Sequence, residues 1–257
     1  MSSEIDDHEL VGDELPDDGP GAAVANPRSI VDPAARVALR ALLGDGLRFD
    51  EPMRRHTTLK IGGPADAYAE PASAAQIAAL VTWCAERRLP LTVVGGGSNL
   101  IVRDAGIRGI TLGTGRLRGI ERVGATTLRV DAGVSTGKVL SVATKHDLGG
   151  VEFLGGVPGS IGGGLIMNAG TYLGELKDVT TWVESVDLAT GRVIRRDNLA
   201  CGFRYRHSDL PPSEIVVAAE LALHPRPRAE IEATVKDLRK RRADREPKKV
   251  SSNGKTI

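Results

Sequence analysis

Two glycine-rich stretches decide how this chain folds: residues 93–99 read VVGGGSN and residues 155–164 read GGVPGSIGGG. The apolar run at residues 91–94 leads directly into the first stretch, which is typical of a buried strand that ends in a loop. Consecutive glycines let several backbone N–H groups point towards one place, and the missing Cβ atoms let phosphate groups approach the main chain. Ser98 and Asn99 add side chains that can form hydrogen bonds. A tight turn between two strands explains a single loop of this kind equally well.

Two familiar nucleotide-binding loops do not fit the spacing of the first stretch. A Rossmann fingerprint needs a third glycine three residues after the second, at the start of a helix, but Gly97 is followed by Ser98, Asn99 and an apolar run. A Walker A loop needs a glycine five residues before its Gly-Lys-Thr, and Lys249 stands at that position before Gly254. The glycines therefore predict neither of these loops.

The second stretch changes the interpretation of the first. It lies about sixty residues further along and ends in the residues MNAG at 167–170. Two glycine loops in one small protein favour a large ligand with a phosphate core, and a flavin dinucleotide fits that description. Two structural loops in a β-rich fold remain the alternative. Residues 149–170 contain too many glycines to predict a helix or an ordinary strand.

Composition and charge exclude several classes of protein. The 257 residues carry a net charge of +1, whereas a dedicated nucleic-acid binder would be strongly basic. The longest apolar stretches are too short to span a membrane, and the acidic N-terminus does not resemble a signal peptide, so we expect a cytoplasmic protein. The two cysteines are far apart in sequence, which excludes a disulfide framework, and we expect no metal site.

The charge is distributed unevenly along the chain. Residues 1–27 contain eight acidic residues and no Lys or Arg, so the remainder carries +9. These residues also contain several prolines and glycines and few large apolar side chains. We therefore expect residues 1–30 to form a disordered acidic tail.

Hydrophobic spacing predicts a mixture of helices and strands after this tail. Helices are expected at residues 32–43, 73–88, 136–145 and 228–245, and strands at 91–94, 107–112, 127–132 and 215–223. Residues 56–70 are expected to be extended, with a turn at Gly62 and Gly63. The alternation in residues 182–199 predicts a hairpin that turns at Thr190 and Gly191.

The motifs, taken in order, identify a family. The runs HTTLKIGGPADAYAEP (56–71), VVGGGSNLIVRDAGIRGITL (93–112), GGVEFLGGVPGSIGGGLIMNAGTYLGE (149–175) and CGFRYRHS (201–208) resemble those of the UDP-N-acetylenolpyruvoylglucosamine reductases, also called UDP-N-acetylmuramate dehydrogenases. The resemblance covers roughly residues 50–250 and is closer to the type II form. It implies an α+β fold, namely the two-subdomain FAD-binding fold of the vanillyl-alcohol oxidase type. It also implies reduction of UDP-N-acetylglucosamine enolpyruvate to UDP-N-acetylmuramate, with bound FAD and with NADPH, in the synthesis of peptidoglycan precursors.

The resemblance also implies roles for particular residues. Arg206 falls on the family's catalytic arginine, and a fixed guanidinium there would stabilise the negative charge that builds next to the substrate's carboxylate. Arg245 is expected to approach the UDP moiety of this small-molecule substrate. The residues expected to bind FAD are Gly95, Gly96, Gly97, Ser98 and Asn99 in the first stretch and Val157, Pro158, Gly159, Ser160, Gly162 and Gly163 in the second.

Domain boundaries are expected at residues 31–115 for the first FAD-binding subdomain, 116–226 for the second and 227–257 for the start of a substrate-binding domain. The family's serine motif and its late glutamate are expected beyond residue 250, where this sequence has Lys255 and then ends. The resemblance therefore predicts a chain truncated at the C-terminus, with the substrate-binding domain largely missing. Two further functions stay open: a catalytically inactive FAD-binding fragment, and an FAD oxidase of the same fold that acts on another alcohol or sugar. The oligomeric state is not predicted.

Overall fold

The computed structural model describes residues 29–245. Its helices are α1 (Pro33–Leu43), α2 (Ala74–Glu86), α3 (Thr136–Lys145), α4 (Ile161–Ile166) and α5 (Arg228–Arg245). Its strands are β1 (Leu47–Pro52), β2 (Pro64–Ala69), β3 (Leu91–Val94), β4 (Ile107–Gly113), β5 (Ile120–Arg122), β6 (Thr127–Asp131), β7 (Leu148–Gly149), β8 (Gly170–Thr171), β9 (Gly174–Glu175), β10 (Thr180–Asp187), β11 (Val193–Asp197), β12 (Glu214–Ala222) and β13 (His224–Pro225).

Local sequence explains where the longer helices begin. The side chains of Asp32, Ser73 and Ser135 each accept a hydrogen bond from the backbone three residues further on, at the starts of α1, α2 and α3. Such caps satisfy N–H groups that have no partner inside the helix. All three helices lie within one or two residues of the predicted ranges, and α3 has the predicted bounds.

Three loops lie at one edge of the first sheet. Its strands lie in the order β1-β2-β4-β3; β4 is parallel to both β2 and β3, and β1 is antiparallel to β2. Because the carboxyl ends of parallel strands meet at the same edge of a sheet, the loops after Ala69, Val94 and Gly113 lie side by side. The first glycine stretch is one of these three loops.

The second sheet is antiparallel, with strands in the order β11-β10-β12-β6-β5. The predicted hairpin joins β10 to β11. Asp187 accepts hydrogen bonds from the N–H groups of Ala189 and Thr190, and Gly191 has a φ of 68°, so the turn forms where the sequence predicts it. The strands predicted at 127–132 and 215–223 correspond to β6 and β12.

Aliphatic side chains fill the interior, as the 3% aromatic content requires. One continuous apolar cluster contains residues of both sheets and of α1 to α5, with Leu39, Ile110, Leu128 and Leu165 fully buried. A smaller cluster of Met53, Ala65, Tyr68, Val94 and Val102 includes the residue that directly precedes the first glycine stretch, Val94. The first glycine stretch therefore rests on a packed support.

One expectation about the glycine stretches was wrong. Residues 161–166 form α4 although three of the six are glycines, because Ile161 and Leu165 lie one helical turn apart and are both fully buried. Burial of this face outweighs the poor helix propensity of glycine. The apolar run at residues 100–102 is not a strand: Val102 is buried under the first sheet, and the backbone there pairs with no strand of the described part of the chain. The hydrophobic pattern also did not predict the strands β1 and β5.

Some expectations fall outside the described residues. The tail predicted at residues 1–30 lies almost entirely there, as do residues 246–257 and the side chain of Arg245. The two sheets come from residues 47–113 and 120–222, and the division into subdomains at residue 115 stays a prediction. Between residues 29 and 245 the longest helix, α5, is far too polar for a bilayer, and no other helix qualifies as a membrane span.

Candidate active site

The first glycine loop, residues 95–99, closes against the segment that follows β1. Gly97 has a φ of 64°, and a Cβ atom on it would lie 1.9 Å from the carbonyl oxygen of His56. The N–H of Thr58 donates a hydrogen bond to the Gly97 carbonyl at 3.2 Å. Glycine is required here because both the backbone conformation and the space exclude a side chain.

The second glycine segment, residues 155–164, contacts the first loop directly. The N–H of Gly96 donates to the Ser160 hydroxyl at 3.3 Å, and the Ser98 hydroxyl donates to the Pro158 carbonyl at 3.4 Å. A Cβ atom on Gly96 would lie 2.9 Å from the Cα of Gly159. The structure thus brings the two predicted loops together, with backbone against backbone.

The glycines of α4 have different surroundings. A Cβ atom on Gly162 would lie 2.8 Å from the Cβ of Ala132, and the N–H of Gly162 donates to the Ala132 carbonyl at 2.8 Å. Gly162 therefore lets α4 pack closely against the end of β6. Gly163 is exposed on the side of α4 that faces the Ser160 hydroxyl. Both glycines are predicted to bind FAD, and of the two Gly163 has the accessible surface.

Several backbone N–H groups at the junction of the loops have no protein partner. Within residues 29–245, no hydrogen bond is donated by the N–H groups of Gly97, Ser98, Asn99 or Gly159. Unpartnered backbone N–H groups in two loops that touch can bind an anion, because each carries a partial positive charge. A diphosphate is the kind of group that suits such a site.

A cavity of about 330 Å³ opens at the same edge of the first sheet. Sequence analysis missed most of its walls, although the signal was present: Tyr68 and Glu70 occupy the carboxyl end of β2, which is parallel to the strand that carries the glycine loop. The lining residues are Arg55, His56, Thr57, Thr58, Tyr68, Glu70, Gly95, Gly96 and Gly115.

One wall of this cavity is a stack of two rings held by a buried carboxylate. The rings of His56 and Tyr68 lie 4.0 Å apart between centroids, and His56 Nε2 lies 2.8 Å from Glu51 Oε1. Burial raises the pKa of Glu51, but the His56 hydrogen bond and the charges of His56, Arg48 and Arg55 outweigh it, so the pKa lies below its ordinary value. Glu51 is therefore ionised at neutral pH and orients the imidazole. His56 therefore forms part of a wall of the cavity.

Arg206 lies at the other end of α4. Its Nη2 donates to the Gly170 carbonyl at 3.1 Å, and the Ser208 hydroxyl donates to the Ile166 carbonyl at 2.9 Å. The Nε of Arg206 is buried and has no hydrogen-bond partner among the described residues. Arg206 also has a φ of 54°, which is uncommon for a residue with a side chain. Its backbone is held in a strained turn, and its guanidinium keeps one donor without a partner among the described residues.

The two predicted parts of the site contact opposite ends of the same short helix. The first glycine loop contacts residues 158–160, which precede α4. The turn that carries Arg206 contacts Ile166, the last residue of α4, and Gly170 beyond it. Six helical residues span about 9 Å. The arrangement suits an elongated ligand with an anionic part at one end and a reacting part at the other.

A second cavity, of about 380 Å³, lies away from these loops. It is lined by Ile30, Asp32, Ala34, Ala35, Ala38, Arg87 and Leu89, at the start of α1 and the end of α2. Although it is slightly larger, neither glycine loop lines it. Size alone therefore does not make it the better candidate site.

Comparison with known proteins agrees with this geometry. A family model described as an FAD binding domain matches residues 65–197, a range that includes both glycine loops. The UDP-N-acetylenolpyruvoylglucosamine reductase of Agathobacter rectalis is 40% identical over 229 residues, which cover 82% of this chain and 71% of that protein. This chain belongs to the UDP-N-acetylenolpyruvoylglucosamine reductase family. The reductase of Limosilactobacillus fermentum is similar too, with 41% identity over 209 residues that cover 81% of this chain and 69% of that protein.

Solved structures show the same fold. The UDP-N-acetylenolpyruvylglucosamine reductase of Thermus caldophilus superposes with a TM-score of 0.67 at 31% identity, covering 79% of this chain and 71% of that one. An alkyldihydroxyacetonephosphate synthase superposes with a TM-score of 0.59 at 19% identity, which indicates a shared fold alone. The predicted two-subdomain FAD-binding fold, the reductase family and the FAD cofactor are confirmed. The roles of individual site residues stay predictions.

Proposed function

We propose that this chain is an FAD-dependent reductase that uses NADPH to convert UDP-N-acetylglucosamine enolpyruvate into UDP-N-acetylmuramate, a step in peptidoglycan precursor synthesis. The observation that carries the proposal is the contact between the two glycine loops, with Arg206 held at the far end of the helix that begins at Ser160. The Agathobacter rectalis relative, whose name states the activity, contributes the substrate class.

The residues present fit an FAD diphosphate. The unpartnered N–H groups of Gly97, Ser98, Asn99 and Gly159 would donate to its oxygens, and a side chain at Gly96 would fill the space between the loops. Backbone donors of this kind bind phosphate without a charged side chain. The flavin, when bound, supplies transfer of a hydride between NADPH and the substrate. Val157, Pro158, Ser160 and Gly163 would line the cofactor further along.

Arg206 is the proposed catalytic group of the described chain. Addition of hydride to the enolpyruvyl double bond builds negative charge beside the carboxylate. A guanidinium fixed by the Gly170 carbonyl, with its Nε still free of a hydrogen bond, can stabilise that charge without reorganising during the reaction. Arg245, at the end of α5, is a proposed contact to the UDP diphosphate, and the proposed site of action is the cytoplasm.

Anaerobic flavin spectroscopy on the purified chain tests this function in three steps. The protein is expected to bind FAD, to lose the oxidised-flavin absorbance when NADPH is added, and to regain it when UDP-N-acetylglucosamine enolpyruvate follows. UDP-N-acetylglucosamine, which lacks the double bond, is the control and is expected to restore nothing. Mass spectrometry should then find UDP-N-acetylmuramate.

The outcomes separate the alternatives. Failure to bind FAD would refute the site itself. An FAD-loaded protein that NADPH reduces but the enolpyruvyl substrate does not reoxidise would contradict the reductase proposal and support an FAD-binding fragment. Reduction by simple alcohols or sugars without NADPH would favour an oxidase instead.

A further inference from the structure

Asn168 is a polar residue in an unusual position. It lies two residues after the end of α4, is fully buried and has a φ of 39°, in the left-handed region. Asparagine tolerates this conformation better than other residues with side chains, but glycine adopts it more easily. The backbone conformation alone therefore does not explain why this residue is an asparagine and not a glycine.

The carboxamide of Asn168 joins three separate segments. Its Nδ2 donates to Glu175 Oε2 and to the Arg204 carbonyl, each at 2.9 Å, and its Oδ1 accepts from the N–H of Lys177 at 3.0 Å. Both Nδ2 hydrogens are donated, which uses every donor of the amide, and the oxygen accepts one hydrogen bond. A buried amide with all its bonds made is rigid, and loss of one partner leaves the others unsatisfied.

One contact of Asn168 and its position in the chain both lead to Arg206. The Arg204 carbonyl closes the turn that carries Arg206, since it also accepts from the N–H of His207 at 3.1 Å. The carbonyl that holds the Arg206 guanidinium belongs to Gly170, two residues after Asn168. Asn168 therefore fixes both the backbone beneath Arg206 and the strand that accepts its side chain.

Resting on the function proposed above, we infer that Asn168 is a positioning residue, which holds Arg206 in its reactive orientation by tying the Arg204 carbonyl to the end of α4. It does so from a buried position, without contacting the substrate or the cofactor. The strained backbone of Arg206, with its φ of 54°, requires such a restraint, because strained turns persist where surrounding contacts determine them.

The charges around the amide support this role. Glu175 Oε2 also lies 2.8 Å from Lys177 Nζ. The Lys177 hydrogen bond is the main cause of the lowered pKa of Glu175, with smaller contributions from Asn168 and Arg206, while burial opposes the shift. Glu175 is therefore ionised at neutral pH. A carboxylate in place of the Asn168 amide would face both Glu175 and the Arg204 carbonyl, and both contacts would become repulsive.

Asn198 supplies a matched control. Its Nδ2 also donates to two backbone carbonyls, those of Lys177 at 2.7 Å and Thr180 at 2.8 Å, and it is half-buried. Among the described residues it forms no hydrogen bond with residues 204–208. Its substitution removes the same kind of hydrogen bonds and leaves the turn of Arg206 in place.

The test compares Asn168→Gly, Asn168→Asp and Asn198→Asp in the full chain. Asn168→Gly keeps the backbone conformation and removes the amide. Asn168→Asp keeps the shape of the side chain, but its contacts with Glu175 and the Arg204 carbonyl become repulsive. The first measurement is the rate at which phenylglyoxal modifies Arg206, followed by mass spectrometry of the peptide. Both Asn168 variants are expected to accelerate it about fivefold, the factor that corresponds to about 1 kcal/mol of lost hydrogen bonding. Asn198→Asp is expected to leave it at the wild-type rate.

The second measurement follows the two flavin half-reactions. The rate of flavin reduction by NADPH is expected to stay within about twofold of the wild-type rate, because Asn168 does not contact the proposed FAD site. Reoxidation by the enolpyruvyl substrate is expected to slow by about 10- to 100-fold because Arg206 is misplaced. A merely structural Asn168 would change both half-reactions, or neither.

The outcomes distinguish this inference from the proposed function. A wild-type chain that never reoxidises its flavin would contradict the proposed function, while the labelling of Arg206 would still decide the role of Asn168. Equal labelling of Arg206 in wild type and in the Asn168 variants would overturn the inference. If neither Asn168 variant folds, Glu175→Ala removes the acceptor of the second Nδ2 hydrogen, and faster labelling of Arg206 is expected there too.

Discussion

The hydroxyl of Ser160 lies 3.3 Å from the backbone nitrogen of Gly96, although 64 residues separate them in the chain. This hydrogen bond joins the loop after β3 to the start of α4. The two loops act as one binding surface because of this contact.

Ser160→Ala is expected to weaken FAD binding by about fivefold, since it removes one hydrogen bond that aligns the loops. Flavin fluorescence titration of the apoprotein measures the change. Ser73→Ala is the control, because Ser73 caps the remote helix α2. It should cost about 1 kcal/mol of stability and leave the dissociation constant for FAD as in wild type. Equal FAD affinity in the Ser160 variant and in wild type would count against the contact.

Gly96→Ala is expected to lower the free energy of unfolding by about 1–3 kcal/mol and to abolish tight FAD binding, because the added Cβ meets the backbone of Gly159. Gly137→Ala is the matched control. A Cβ at Gly137, in the first turn of α3, meets nothing within 4 Å. That substitution should stabilise the protein by about 1 kcal/mol. Thermal unfolding with and without FAD tests both variants, and similar melting temperatures for the two would refute the prediction.

Arg206→Lys is expected to lower kcat by about 100- to 1,000-fold, because a lysine cannot reproduce the guanidinium held by the Gly170 carbonyl. FAD content and the rate of flavin reduction by NADPH are expected to remain unchanged. Arg195→Lys is a control on the exposed edge of the second sheet, where Arg195 pairs with Glu184. Rapid-mixing absorbance measurements separate the two half-reactions, and slow flavin reduction in Arg206→Lys would contradict the proposed role.

Glu152 is expected to contribute a pH-dependent part of the stability. It is buried, and Arg226 Nη1 lies 2.6 Å from its Oε1. Burial raises the pKa of Glu152, but hydrogen bonds from its own N–H and that of Gly150, together with Arg226, lower it below the ordinary 4.5. The contribution is therefore complete above pH 4.5 and is lost as the pH falls through the lower pKa of the folded state.

Glu152→Gln tests this prediction. The difference in free energy of unfolding between this variant and wild type should be largest near neutral pH and should shrink in acid. Glu230→Gln removes an exposed partner of the same arginine and is expected to change stability by at most about 1 kcal/mol at any pH. Denaturant unfolding at a series of pH values provides the data. A difference for Glu152→Gln that grows in acid would show that the sign is wrong.

Both cysteines are expected to be unreactive in the folded protein. Burial raises the pKa of Cys84 to about 12 and that of Cys201 to about 11, so few thiolates form at neutral pH. A thiol reagent such as Ellman's should react slowly with the native chain and rapidly with both thiols after unfolding. Fast reaction of either thiol before unfolding would show that its surroundings are open to solvent.

Local sequence was sufficient for elements whose ends are set by neighbouring residues. The helix α3 has the predicted bounds because Ser135 caps its start and its apolar residues recur at helical spacing. The β10–β11 hairpin turns at the predicted glycine for the same reason, since Gly191 supplies the positive φ that the turn needs. In α4, by contrast, propensity predicted no helix, and burial of Ile161 and Leu165 decided otherwise.

The sequence by itself determined the glycine loops, the order of the motifs and the residues expected to bind FAD. Tertiary structure alone decided that Gly96 meets Ser160, that Tyr68 and His56 wall the adjacent cavity, and that Asn168 holds the turn of Arg206. The physical reason is that turn and loop chemistry depends on consecutive residues, whereas these contacts join segments 12 to 64 residues apart and exist only after the strands and helices have packed.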